Sequence, residues 1–279
     1  MPENPRILLI GGGNMGRSLV GGLIRSGWEA GDITVSDPDP QSHQALAANF
    51  GLMQLYYENS LAYSRASADV VLFATKPDKL PTTATELAPW MVTDNPLLIT
   101  IAAGVRADDL ARWTGGHCPV VRVMPNTPAL VGAGMSALYA QEDVSDAQRA
   151  LAGRIMESVG KVLWVQDEAL MDAATAVSGS GPAYFFLFMQ AMIEGACRMG
   201  LDEAQARLLV LETARGAQEL ASASEDSLQE LCRKVTSKGG TTAAALDVLE
   251  GAGFEALILN ALEAARQRAE ELGDENGRA

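Results

Sequence analysis

A chain of 279 residues, 48% hydrophobic and 20% charged, is long enough for one large core or two smaller ones. Its formal net charge of -14 repels polyanions, which argues against nucleic acid or an anionic membrane as partner. Cys118, Cys197 and Cys232 are far apart and odd in number, so they offer neither a disulfide framework nor a metal cluster; no metal is expected, and a reducing cytoplasm fits best. The opening MPENPRILLI lacks a basic flank before a long apolar core, and no apolar run reaches the ~18 residues of a membrane span, so secretion and membrane insertion are not expected.

The first predicted strand is Ile7 to Ile10, an apolar run that stops against Gly11-Gly12-Gly13. Leu19, Val20, Leu23 and Ile24 then recur at helical spacing up to a stop at Gly27. Gly11, Gly13 and Gly16 thus form G-x-G-x-x-G between a strand and a helix. Gly11 would permit the turn, Gly13 would let a pyrophosphate approach the backbone, and Gly16 would let helix and strand pack closely. A second predicted strand, Asp32 to Ser36, ends at Asp37, placed to hydrogen-bond an adenosine ribose. Strand, glycines, helix, strand and acid in this order point to a dinucleotide site in a Rossmann domain.

Strand-helix alternation continues. A helix over about Gln41 to Phe50, a short strand near Met53 to Tyr56 and a helix from Asn59 lead to a strand over Val70 to Ala74, ending in Thr75-Lys76-Pro77. These three residues lie where a doubly wound sheet places its ligand, although a plain turn has the same composition. Further strands are expected at Leu97 to Ile101, before the small-residue turn Ala102-Ala103-Gly104, and at Pro119 to Met124, before Pro125-Asn126-Thr127-Pro128. Ala133 to Ala140 and Lys161 to Val165 complete the strands, separated by an amphipathic helix over about Ser145 to Ser158.

From Glu168 onward only helices are expected, which divides the chain into an α/β domain of mostly parallel, doubly wound sheet over 1–165 and an all-α domain over 166–279. Ser178-Gly179-Ser180-Gly181-Pro182 reads as a glycine-rich loop opening a helix over Ala183 to Met199. That helix is apolar on nearly every side and needs cover, from a second subunit or from the first domain. Helices near Glu203 to Leu220, Ser227 to Val235, Ala243 to Glu250 and Phe254 to Leu272 follow, with Gly273 to Ala279 as a frayed charged tail.

Ser237, Gly240, Thr241 and Thr242 precede one of these helices, where backbone N–H groups and hydroxyls could hold a carboxylate and a threonine could bond a substrate nitrogen. Ordinary capping, with Thr241 as N-cap, is the competing reading. His43 and His117 read as surface histidines, so histidine acid-base chemistry is not expected. Reducing an already protonated iminium would need little beyond hydride and positioning.

The chain resembles the Δ1-pyrroline-5-carboxylate reductases over nearly its whole length, through IGGGNMG at 10–16, ATKP at 74–77, IAAGV at 101–105, VMPNTPA at 123–129, SGSGPAY at 178–184 and SKGGTT at 237–242. The resemblance implies a Rossmann domain followed by a helical domain interlocked in a homodimer, often within a larger ring such as a decamer. It also implies the last step of proline synthesis, in which hydride passes from NADPH or NADH to the imine carbon of pyrroline-5-carboxylate. By position, Gly11, Gly13, Asn14, Met15, Gly16, Asp37, Asn59, Ala74, Thr75, Lys76, Pro77, Ala102 and Ala103 would line the cofactor, and Glu168 could reach its ribose. Ser237, Thr241 and Thr242 would hold the carboxylate with room left by Gly240, and Thr242 would bond the ring nitrogen. Met124, Asn126, Ser178, Gly179 and Ser180 would wall the pocket.

Two departures from the family pattern stand out. Lys238 replaces a usual proline and, with Lys234, would add positive charge beside the carboxylate loop. Asp37 stands where many relatives carry Ser, Thr or Asn, and no Arg or Lys lies between Gly27 and Arg65 to offset it, so a lean towards NADH is expected. A β-hydroxyacid dehydrogenase and a non-catalytic, dinucleotide-sensing dimer are the alternatives.

Overall fold

The computed structural model describes residues 5–278. Alternation begins with β1 (Ile7–Ile10), α1 (Asn14–Arg25), β2 (Ile33–Ser36), α2 (Pro40–Phe50), β3 (Leu55–Tyr56), α3 (Asn59–Ala66) and β4 (Val70–Phe73). It goes on through α4 (Leu80–Asp94), β5 (Leu97–Thr100), α5 (Ala107–Trp113), β6 (Val120–Met124), β7 (Gly134–Ala140), α6 (Asp146–Glu157) and β8 (Gly160–Trp164). Among the described residues only helices come after: α7 (Leu170–Ala174), α8 (Gly181–Arg198), α9 (Glu203–Ala223), α10 (Leu228–Lys234), α11 (Thr241–Gly251) and α12 (Phe254–Gly277).

The strands form one sheet in the order β3-β2-β1-β4-β5-β6-β7-β8. All neighbours run parallel except β6 and β7. Its central strands are apolar throughout because both faces are covered: Ile7, Leu9, Val70, Leu72, Leu97 and Ile99 point into one core, and Leu8, Ile10, Val71, Phe73 and Leu98 into the other. Strand order reverses between β1 and β4, where a doubly wound sheet opens a crevice at its carboxyl edge.

The chain forms two compact units, one running to Ser180 and resuming at Ala264, the other Gly181–Glu263. Residues 166–180 fall in the first unit, not with the helices beyond them, because Arg122 of β6 pairs with both Glu168 and Asp172. The expected frayed tail is instead helical through Gly277. Arg106 donates to Asp274 at 2.6 Å and Asn276 to the Gly104 carbonyl at 2.9 Å, while Ala279 lies outside the described residues.

In the second unit the buried apolar residues are few: Ile193, Ala196, Ala206 and Val210. On α8, expected to be buried on most sides, Phe185, Phe186 and Leu187 are 70%, 61% and 73% exposed in the single chain. No described helix is long and apolar enough to cross a membrane.

Candidate active site

Register sets the first wall. Ile10 pairs with Ser36 and with Phe73, and Phe73 with Thr100, so Gly11, Asp37, Ala74 and Ile101 leave the sheet side by side. Gly11 has φ 105°, and a Cβ there would stand 2.7 Å from the Ala74 carbonyl oxygen, so at the switch point only glycine fits. A Cβ on Gly16 would overlap the Gly11 carbonyl oxygen, which lets α1 begin hard against the turn. Gly13, by contrast, faces open space and is the N-cap of α1 without any side-chain cap. The N–H groups of that first turn, with no acidic side chain among them, make an anion cradle suited to a pyrophosphate.

Asp37 follows β2 and is nearly buried. Its Oδ2 accepts from the Gly12 N–H at 2.5 Å and its Oδ1 from the Asp39 N–H at 2.7 Å, which ties the acid to the glycine turn. Ser42 Oγ donates to the Gly12 carbonyl at 2.9 Å from α2. Asn59 opens α3 and accepts from Ser36 Oγ at 2.8 Å. Thr75 Oγ1 is buried without a partner among the described residues, a polar atom left for a ligand next to the crevice.

A second wall forms where β6 ends. Asn126 Nδ2 donates to the Ser178 carbonyl at 3.1 Å, its Oδ1 accepts from the Met135 N–H at 2.9 Å, and the Met124 methyl packs where a Cβ on Gly179 would lie. Ser178 and Gly179 are not the open loop expected. Thr175–Gly179 is a π-helical turn continuing from α7, closed by the Ser180 N–H on the Thr175 carbonyl at 2.9 Å. Behind it, Glu168 Oε1 accepts from Arg122 at 3.0 Å and from the Ala107 N–H at 2.8 Å, and Arg122 also donates to Asp172 at 3.2 Å. Arg122 is 5% exposed; without it two carboxylates would be stranded, at a cost of about 3–5 kcal/mol.

The second unit carries the other loop. Gly239 is left-handed at φ 70°, Gly240 donates to the Ser237 carbonyl at 3.0 Å, and a Cβ on Gly240 would collide with Ser237 Oγ. Gly240, not Thr241, is the N-cap of α11, and no side chain caps it. The first N–H groups of α11 are therefore bracketed by the hydroxyl-bearing Ser237, Thr241 and Thr242. Lys234 pairs with Asp226 at 2.5 Å, which leaves the exposed Lys238 as the charge beside the loop.

Known proteins share both halves. Residues 6–104 match the family model "NADP oxidoreductase coenzyme F420-dependent", and 168–272 match "Pyrroline-5-carboxylate reductase dimerisation". A pyrroline-5-carboxylate reductase of Pseudomonas aeruginosa is 46% identical over 99% of this chain and 99% of its own. The chain belongs to the pyrroline-5-carboxylate reductase family. A solved reductase of this family from Coxiella burnetii is 38% identical, with a TM-score of 0.91 over 97% of this chain and 99% of its own. The Plasmodium falciparum pyrroline carboxylate reductase, solved with NADP bound, is 30% identical with a TM-score of 0.85 over 97% of this chain and 99% of its own.

Pyrroline-5-carboxylate reductases are nicotinamide-dependent, and the exposed face of α8 lies in the segment that their dimerisation model covers. Within the first unit the fold gathers Gly11 to Gly16, Asp37, Asn59 and Ala74, and separately Met124, Asn126, Ser178 and Gly179. Sequence reasoning missed Arg122 and Asp172, although a lone arginine in the strand VVRVM demands a buried counter-charge.

His43 is a correction. It is 8% exposed, not on the surface; its Nε2 lies 2.8 Å from the Asp37 carbonyl oxygen and its ring stacks on Tyr57 with centroids 4.2 Å apart. His117 is exposed. Cys118 is buried, and desolvation, with Asp143 adding to it, pushes its thiol up to about 11; the protonated sulfur is inert at neutral pH.

Proposed function

We propose that this protein is a pyrroline-5-carboxylate reductase that forms L-proline as the last step of proline synthesis. One observation carries the reading: the relative bearing that name matches through both units, at 46% identity over 99% of the chain. Bound in the crevice, a reduced nicotinamide supplies hydride to the C=N carbon of the cyclic substrate.

In this reading the N–H groups of Gly13 to Gly16 hold the diphosphate, Asp37 and Asn59 the adenosine side, and Ala74 to Pro77 with Ala102 and Ala103 the remaining length of the cofactor. Glu168, whose Oε1 already accepts from Arg122 and Ala107, acts on the cofactor through the loop it braces. Ser237, Thr241, Thr242 and the N–H groups after Gly240 bind the substrate carboxylate, and the Thr242 hydroxyl meets the ring nitrogen. Met124, Asn126, Ser178, Gly179 and Ser180 exclude water around the reacting carbon. A protonated imine needs no general acid, which suits a site without histidine: His43 is occupied by Asp37 and Tyr57.

Asp37 supports a lean towards NADH, since its carboxylate at the end of β2 repels a 2′-phosphate and the next 27 residues carry no cation before Arg65. Assembly of dimers into a ring such as a decamer, and a cytoplasmic location, complete the reading. Following loss of reduced nicotinamide absorbance with pyrroline-5-carboxylate tests it. Turnover is expected, and tight cofactor binding without turnover would favour a sensing dimer. Oxidation of a β-hydroxyacid at a comparable rate would favour the dehydrogenase alternative.

A further inference from the structure

The last two turns of α12 pack against the turn that carries Ala102 and Ala103. Three glycines allow the approach. A Cβ on Gly104 would stand 2.8 Å from Leu272, one on Gly273 3.1 Å from the Arg106 guanidinium, and one on Gly277 3.0 Å from the Asp109 carboxylate. Polar contacts then fix the register: Asn276 Nδ2 donates to the Gly104 carbonyl at 2.9 Å, Arg106 donates to Asp274 at 2.6 Å, and Arg112 donates to the Gly277 carbonyl at 2.7 Å. Arg112 at the carboxyl end of α12 also meets the negative end of the helix dipole.

This clasp grips the cofactor loop itself. Gly104 is left-handed at φ 69° inside a turn closed by the Val105 N–H on the Ala102 carbonyl at 3.3 Å, and the Ala102 N–H is held by Thr100 Oγ1 at 3.2 Å. Holding the Gly104 carbonyl from α12 therefore sets where Ala102 and Ala103 present their small side chains. On the other flank, Arg106 precedes Ala107, whose N–H is taken by Glu168. We propose that Asp274 and Asn276 are positioning residues for nicotinamide cofactor binding, acting through the 102–105 turn. The inference rests on the cofactor crevice proposed above.

The test is carried out on the full-length dimer. Asp274→Asn and Asn276→Ala are each expected to raise the Kd and KM for reduced cofactor about threefold, and removal of residues 273–279 about tenfold, with kcat at saturating cofactor within about twofold and the dimer retained. Asp274→Glu should recover most of the loss. Faster amide exchange at 102–105 in Asn276→Ala should accompany the loss of affinity, and the split between a raised cofactor KM and a retained kcat is the signature that a merely stabilising contact would not give. Unchanged cofactor Kd in both point variants overturns the proposal, whether or not the truncated chain folds. Cofactor Kd is read by fluorescence without substrate, so a parent protein that binds cofactor but reduces no imine refutes the proposed function and leaves the clasp standing.

Discussion

The two units differ most in what they bury. The first has two continuous cores, one on each face of its sheet, and fully buried side chains along β1, β4 and β5. The second has four buried apolar side chains, Ile193, Ala196, Ala206 and Val210, and leaves Phe185, Phe186, Leu187 and Leu257 largely open to solvent. A helical unit of this size with such a face is not finished by its own chain; it is completed by association, as its match to a dimerisation family implies. The first unit can thus tolerate surface change, whereas the second depends on another copy for its core.

Charging the open face breaks this contrast most severely. Phe186→Asp with Leu187→Asp places unpaired carboxylates where an apolar partner surface must pack, and should weaken the dimer by at least about a hundredfold, the equivalent of ~3 kcal/mol or more. Light scattering reads the loss of dimer and the imine assay the loss of turnover. Retention of a full-strength dimer would mean that α8 is not at the interface.

Next in size is Thr242. Ala in its place should lower kcat by about a hundredfold, the scale of a lost hydrogen bond to the reacting group, and Ser should retain most of the rate. Equal rates for the two substitutions would eliminate the hydroxyl and leave Thr242 only its backbone N–H, which can donate to the substrate carboxylate but not to a protonated ring nitrogen.

Much of the first unit was readable because its signals are local. An apolar run meeting three glycines can hardly be anything but a buried strand entering a tight turn, and Gly11 and Gly16 sit where their missing side chains are needed. What failed was non-local or overridden by packing. The tail EELGDENGRA reads as solvated charge, yet Gly273 and Gly277 meet Arg106 and Asp109 from far upstream in the chain, a pairing that no spacing reveals. Ser178-Gly179-Ser180 has turn propensity, but Asn126 and Met124 hold it as a helical turn. His43 looked solvent-facing because the stacking Tyr57 and the Asp37 carbonyl lie outside its own helix. In the candidate site the glycine turn and Asp37 were legible, whereas the register that brings Gly11, Asp37 and Ala74 level belongs to the sheet.

Asp37 sharpens the comparison within the first unit. Asp37→Ser removes the carboxylate proposed to repel a 2′-phosphate and should shift the ratio of kcat/KM for NADPH over NADH about tenfold towards NADPH. Because Asp37 also accepts from Gly12 and Asp39, affinity for both cofactors should fall somewhat. A parent enzyme that already prefers NADPH strongly would refute the role given to the carboxylate.

The smallest effect probes the first unit alone, in the core that holds Leu8, Val71 and Phe73. The Cys118 thiol is raised from 9.0 to about 11 by burial and then by Asp143, so the folded state keeps a proton that the unfolded chain releases. Stability from this group is whole below pH 9 and is lost as pH rises towards 11. Tyr63, raised chiefly by burial with Asp94 adding to it, joins only above its ordinary value of 10.0. Between pH 9 and 10 the thiol acts first, and the unfolding free energy should fall by about 1 kcal/mol. Cys118→Ala should lower stability at every pH through the cavity it leaves, yet flatten the slope over that one pH unit. Denaturant melts at the two pH values separate the cavity from the proton: an unchanged slope in the variant would show that another group releases the proton.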